Sequence, residues 1–499
     1  MESLTMHEMQ AKMRGGELSS RQLVESYLER IQTLDKAGPK LNAIIEINPE
    51  ALAIADKLDQ ERAGGQLRGP LHGIPIVLKD NIDTADRMTT TAGSLALEGY
   101  IAAQDAFLVS RLRAAGAVIL AKANLSEWAN FRSTNSISGW SSRGGQTLNP
   151  YALDRNPCGS SSGSAVAVAA ELCAAAVGTE TDGSIICPSH ANGVVGIKPT
   201  LGLISRSGVI PISHSQDTAG PIARSVWDAA VLLGAMTGVD PRDPATSSSQ
   251  DKSHHDYTQF LKSNGLQGTR IGVARNFFEF HPLVDKIMEA CLEALQAGGA
   301  ELVDPADIET KDKTDDTEIE VLFYDFKADL NAYLGTLGGQ ARVHSLEDVI
   351  AFNKANQEKV MPYFGQERML KAQEKGPLTD EAYQKALETN HRLARDEGID
   401  TTLQKHKLDA IVAPSGGPAW LIDYVNGDHY GGGSSSPAAV AGYPNITVPA
   451  GYVYGLPVGI SFIGTAYTEP TLLRLAYAFE QATQVRKSPQ FLPSVNLAS

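Results

Sequence analysis

Two serine–glycine loops place hydroxyl nucleophiles on tight turns: Cys158-Gly159-Ser160-Ser161-Ser162-Gly163-Ser164 and Gly178-Thr179-Glu180-Thr181-Asp182-Gly183-Ser184. Glycine has no Cβ, so a reacting carbonyl can approach the main chain closely there and meet free N–H groups. Ser160 and Ser184 lie 24 positions apart. That length accommodates a helix over 164–172 and a strand over 174–177, which run out and back and let the two loops meet.

Such an arrangement suits amide hydrolysis, which needs a nucleophile, a base and donors for the oxyanion. Ser184 is the nucleophile candidate. It closes a Gly-rich turn whose consecutive N–H groups belong to Thr181, Asp182, Gly183 and Ser184. Its ordinary reading is a helix N-cap, because Ile185-Ile186 follow it. Lys79 ends an apolar run over 73–81 and is the base candidate. Its ordinary reading is a surface lysine at a strand edge. A buried ammonium, by contrast, loses its proton readily, and the neutral amine is a base. Ser160 would relay the proton between them. A flexible linker is its ordinary reading, but the apolar element over 165–177 argues against a disordered tract.

Two decoys fall away. Gly159-Ser160-Ser161-Ser162-Gly163 fits G-x-S-x-G, yet polar Leu153-Asp154-Arg155-Asn156-Pro157 precedes it where a nucleophile elbow needs a strand. A Walker loop needs Lys-Ser or Lys-Thr after its glycines, and none follows. The 11 histidines show no metal-ligand spacing.

Elements able to position these groups are readable from periodicity. Helices are expected over 6–14, 20–34 (with Ser19 or Ser20 as N-cap), 51–62 and 105–114, and strands over 43–47, 73–81 and 117–121. Strands and helices alternate to about 233, and strands return at 410–414, 445–449 and 458–463. Residues 282–406 read as largely helical. The expected fold is α/β: a central mixed β-sheet flanked by helices on both faces. It forms a single large domain with a core at about 60–235 and 408–485 and a helical insertion at about 280–406. Gly431-Gly432-Gly433-Ser434-Ser435-Ser436 is either a spacer or a loop near the site.

Composition narrows the function classes. The 499 residues suffice for a large core, and a net charge of −15 argues against a nucleic-acid partner. Cys158, Cys173, Cys187 and Cys291 are scattered, so they are expected to pack as small apolar residues and not to form a disulfide framework. No apolar run is long enough for a membrane span. The opening residues lack the basic and apolar regions of a signal peptide. That fits a cytoplasmic protein or an exported one whose leader is gone, and leaves localisation open.

Residues 156–228 resemble the signature of the amidase signature family. The similarity rests on Gly159 to Ala165, Gly178 to Ser184, Gly193-Val194-Val195-Gly196-Ile197-Lys198-Pro199-Thr200, and the run Asp217 to Ser225. The segment Gly73 to Asn81 resembles the family's lysine segment, and Ala441 to Pro449 its late strand. The resemblance implies a Ser–Ser–Lys triad of Ser184 (nucleophile), Ser160 (bridge, with a cis peptide) and Lys79 (base). It implies oxyanion donors at the N–H groups of Thr181, Asp182, Gly183 and Ser184. Cys158, Ser162 and Asp182 depart from the glycines of many members; Asp182 must point away from an oxyanion. These departures resemble the peptide amidase branch, which implies a peptide or small-molecule amide substrate, above all a C-terminal peptide amide. They also imply no cofactor and no obligatory protein partner. A broad aliphatic, aryl or fatty-acid amide hydrolase, an amidotransferase component supplying ammonia to a partner, and a non-catalytic binding protein are the alternatives. Pocket walls are expected from 126–142 and 414–437, with the helical section as a further wall.

Overall fold

Short runs of Val, Ile and Ala pair into one eleven-stranded sheet in the computed structural model, which describes residues 4–497. Residues 1–3, on which the leader reading partly rests, lie outside the described residues. From one edge the strands run Ile44–Ile47, Val118–Ala123, Pro75–Lys79, Ala175–Glu180, Thr218–Ala223, Val195–Lys198, Asn445–Val453, Leu456–Ile463, Ala410–Pro414, Arg270–Val273 and Glu301–Val303. Parallel and antiparallel pairs mix. Pro75–Lys79, Val118–Ala123 and Ala175–Glu180 are buried at every position. That is why they read as continuous apolar runs and not as alternating ones. Helices flank the sheet, among them Val226–Met236, Pro282–Ala297 and Glu469–Thr483. The mixed α/β sheet expected from the sequence is therefore present.

Local signals mostly hold. Ser19 caps Ser20–Arg30 in a capping box with Gln22, as the break at Gly15-Gly16 suggests. The helix between the serine loops is Ser162–Ala169, buried on all sides by its Ala and Val residues. One boundary differs. The stretch expected to be helical from about 280 carries a strand, Glu301–Val303, after the helix Pro282–Ala297; it pairs in parallel with Arg270–Val273, which pairs in parallel with Ala410–Pro414. Glu301–Val303 has only three residues, too few for a periodic signal.

The remaining helical section docks through a separate apolar cluster. Leu322, Phe326, Leu330 and Leu334 of the helix Asp315–Gly335 pack on Trp128, Phe131 and Ile212. Phe131 and Phe326 ring centroids are 5.0 Å apart. Arg132, fully buried, ties this section down: it pairs with Glu127 and donates to the carbonyls of Val360 (2.7 Å), Gly365 (3.1 Å) and Phe364 (3.2 Å). No helix among the described residues is long and apolar enough to cross a membrane.

Candidate active site

Parallel pairing sets the geometry. Pro75–Lys79 and Ala175–Glu180 run side by side in the same direction, so Lys79 and Thr179 finish at the same edge of the sheet. Lys79 Nζ lies 2.7 Å from Ser160 Oγ, 2.8 Å from Thr179 Oγ1 and 3.2 Å from the Thr179 carbonyl. The side chain is fully buried. Burial drives its pKa down to about 7, against the pull of the Asp217 and Glu180 carboxylates. Lys122 and Lys198 are buried as well, but their ammonium groups are taken by Ile82, Thr90 and Tyr443 and touch neither serine loop.

The serines of the first loop divide their tasks. Ser161 Oγ donates to the Thr179 carbonyl and accepts its N–H, Ser162 Oγ donates to the Cys158 carbonyl, and Ser164 Oγ donates to the Val177 carbonyl. Only Ser160 faces Lys79, and the Gly159–Ser160 bond is cis. Gly163 admits no side chain, since a Cβ would stand 2.2 Å from the Ala43 carbonyl oxygen. The Ser161 N–H donates to the Ser184 carbonyl at 3.1 Å, which joins the two loops beside Ser160.

Ser184 opens onto a cavity of about 440 Å³. It does not cap the helix Ile186–Ala191: the cap residue is Ile185, and the first N–H groups, of Ile185 and Ile186, donate to Glu180 Oε2 at 2.7 and 2.9 Å. The glutamate thus does the capping and leaves the Ser184 hydroxyl free. Among the described residues, none of the N–H groups of Thr181, Asp182, Gly183 and Ser184 donates to another protein group. Gly183, at φ 74°, makes the turn that exposes them. Asp182 is turned aside: its two oxygens accept from Ser435 Oγ and Ser436 Oγ, both at 2.6 Å. Burial raises the pKa of that carboxyl against the effect of the two hydrogen bonds. The 431–436 run is therefore a loop tied to the site and not a spacer.

Several contributors were not singled out from the sequence. Asp217 accepts from Thr181 Oγ1 (2.6 Å) and from the N–H groups of Ile212 and Ser213, and burial pushes it up to about 6. Cys158 and Cys187 form a disulfide, a correction to the expectation of free thiols; Cys173 and Cys291 are free and buried as expected. The 29-residue spacing carried no signal, because proximity here depends on the helix Ile186–Ala191 folding back on the first loop. The cavity is lined by Ala129, Asn130 and Phe131 from the expected 126–142 wall and by Ser436 from the expected 414–437 wall. The helical section adds Asp315, Glu318, Leu322 and Arg368. Trp128, Ala129 and Asn130 take left-handed φ values of 52°, 51° and 72°, a run whose cost only a packed site sustains. His214, Asp325 and Asp329 bring potential ligand atoms together, but His214 Nδ1 already meets Asp329 at 2.9 Å and the group does not line this cavity.

The Amidase family profile matches residues 22–473. The chain belongs to the amidase family. A solved structure of the peptide amidase PAM in complex with the competitive inhibitor chymostatin superposes with a TM-score of 0.96 at 52% identity, covering 98% of this amidase and 99% of that chain. A probable amidase of Arabidopsis thaliana is 44% identical over 99% of this chain and 92% of its own length. A glutamyl-tRNA(Gln) amidotransferase subunit of Halorhodospira halophila is 36% identical over 98% of this amidase and 99% of its own length.

Proposed function

We propose that this amidase hydrolyses carboxamides through a Ser184 acyl-enzyme, with the C-terminal amide of peptides as its substrate. The observation that carries the reading is the fully buried Lys79 amine 2.7 Å from Ser160 Oγ, beside a turn with four uncommitted N–H groups. A neutral amine has two N–H groups for the two Thr179 oxygens and one lone pair for the Ser160 hydroxyl. Ser184 Oγ attacks the amide carbon and passes its proton to Ser160 Oγ, whose own proton goes to Lys79 Nζ. The oxyanion forms against the main-chain donors at 181–184. The C–N bond then breaks, and the nitrogen takes the proton back along the same path and leaves as ammonia. Water attacks the ester, gives its proton to the relay, and the collapse restores Ser184 Oγ–H and releases the acid.

The similarity to a peptide amidase along the whole chain supports the peptide amide as substrate. Ammonia release from a panel of peptide, fatty and aryl amides tests this. Ser184→Ala is expected to lose at least about a thousandfold in kcat, the scale seen when a nucleophile is removed. Wild-type release by Ser184→Ala would refute the assignment. The similarity to an amidotransferase component favours a second reading, ammonia supply to a partner. It predicts a co-purifying complex and little activity by the chain alone.

A further inference from the structure

Four of the polar side chains that line the Ser184 cavity are engaged by the protein. Thr181 bonds Asp217, Asp182 holds Ser435 and Ser436, and Glu318 Oε1 accepts from Gln216 at 2.8 Å. Arg368 differs. It lines the cavity, yet among the described residues its guanidinium makes no hydrogen bond and no ion pair. Its carbon lies 5.3 Å from the Phe131 ring centroid, so one face is covered and the N–H fork has no acceptor. Asn130, on the left-handed turn of the facing wall, also has a buried side-chain oxygen with no protein partner.

The guanidinium is half-buried and feels the Glu318 carboxyl at a distance, but no acceptor stands within hydrogen-bond reach, so its N–H groups are left for a ligand oxygen that enters the cavity. The kind of oxygen is decided by the neighbours. Asp315 lines the same cavity together with Asp182 and Glu318, whose carboxyls burial raises (Glu318 to about 8), so a carboxylate ligand would face Asp315 and make the other two still harder to charge. A neutral carbonyl oxygen meets no such opposition. A peptide amide whose carboxamide carbon lies at Ser184 carries such an oxygen one peptide unit upstream, whereas a simple carboxamide does not. The helix Glu367–Gln373 holds Arg368 in position through the Ser133–Glu367 hydrogen bond and the donation of Gln366 to the Ile350 carbonyl at 3.2 Å.

We propose that Arg368 selects peptide amides over simple carboxamides by donating hydrogen bonds to a main-chain carbonyl oxygen of the substrate upstream of the scissile amide. The inference rests on the amidase reading of this cavity and names its specificity residue. Asn130, with its oxygen free to accept a peptide N–H, completes the recognition from the other wall.

Two measurements on the full chain test this. In the first, kcat/KM for N-acetyl-alanyl-alaninamide and for propionamide is compared between the wild type and Arg368→Met, which keeps the length of the stem and loses the donors. The ratio of the two values is expected to fall at least about tenfold, mainly through KM for the peptide amide. An unchanged ratio overturns the proposal. In the second, calorimetry measures the binding of the same peptide amide to Ser184→Ala and to Ser184→Ala/Arg368→Met. Binding about tenfold weaker in the double variant is expected, and equal binding overturns the proposal. An anchor seen in calorimetry without ammonia release by the wild type would leave Arg368 as the anchor and remove the amidase reading.

Discussion

Lys79 Nζ stands 2.7 Å from Ser160 Oγ at the end of a strand with no exposed residue. Burial brings the ammonium to about 7, so a large share is neutral near physiological pH. Only the neutral amine accepts the proton relayed from Ser184. The value of kcat/KM is therefore expected to rise about tenfold per pH unit below about 7 and to level off above it. A pH–rate profile with a peptide amide checks this; a flat acid limb rejects the base role of Lys79.

Asp217 gives that limb a second handle. Its carboxylate raises the pKa of Lys79 and is itself charged above about 6, so it acts at the midpoint of the lysine titration. Asp217→Asn removes the charge and leaves an oxygen for Thr181. The acid limb is expected to move to lower pH, by about one unit or less. A limb that stays or moves upward contradicts the electrostatic account.

The Cys158–Cys187 bridge spans 29 residues and joins the loop before Ser160 to the helix after Ser184. Closing a loop of that size removes about 3–4 kcal/mol of unfolded-state entropy. Cys158→Ser/Cys187→Ser should therefore unfold at lower denaturant concentration and lower temperature than the wild type. Peptide mapping of unreduced protein checks the bond directly; two alkylatable thiols at these positions would remove the prediction.

Arg132 and Glu127 form a fully buried ion pair under the helical section. Arg132→Ala leaves the glutamate without its partner and frees the carbonyls of Val360, Phe364 and Gly365. A loss of about 3–5 kcal/mol is expected in a denaturant titration. Glu127→Gln/Arg132→Met should recover part of it, since no charge is then left unpaired. A single variant as stable as the wild type would show that the clamp does not hold the wall.

The sequence alone carried the strands, whose apolar runs exceed any turn signal, and the two serine–glycine loops, whose glycines mark close approach. Spacing made a meeting of Ser160 and Ser184 feasible, and the place of Lys79 at the end of an apolar run, together with the resemblance, singled it out among 43 basic residues. Glu180 as the helix cap, Asp217 beside the lysine and Arg368 on the cavity wall had no such mark. Each is an ordinary polar residue until another element packs against it. The two hydroxyl partners of Asp182 lie 253 and 254 positions away, and no local pattern encodes that distance.

Residue types and periodicity thus determined which elements form and which hydroxyls sit on glycine turns, because both depend on interactions within a few positions. Tertiary structure decided the rest. It removed water from Lys79, turned the Asp182 carboxylate toward two serines, drew Cys158 to Cys187 and set Arg368 on the wall of the cavity that Ser184 opens onto. Desolvation and proximity belong to the packed assembly, and no single segment contains them.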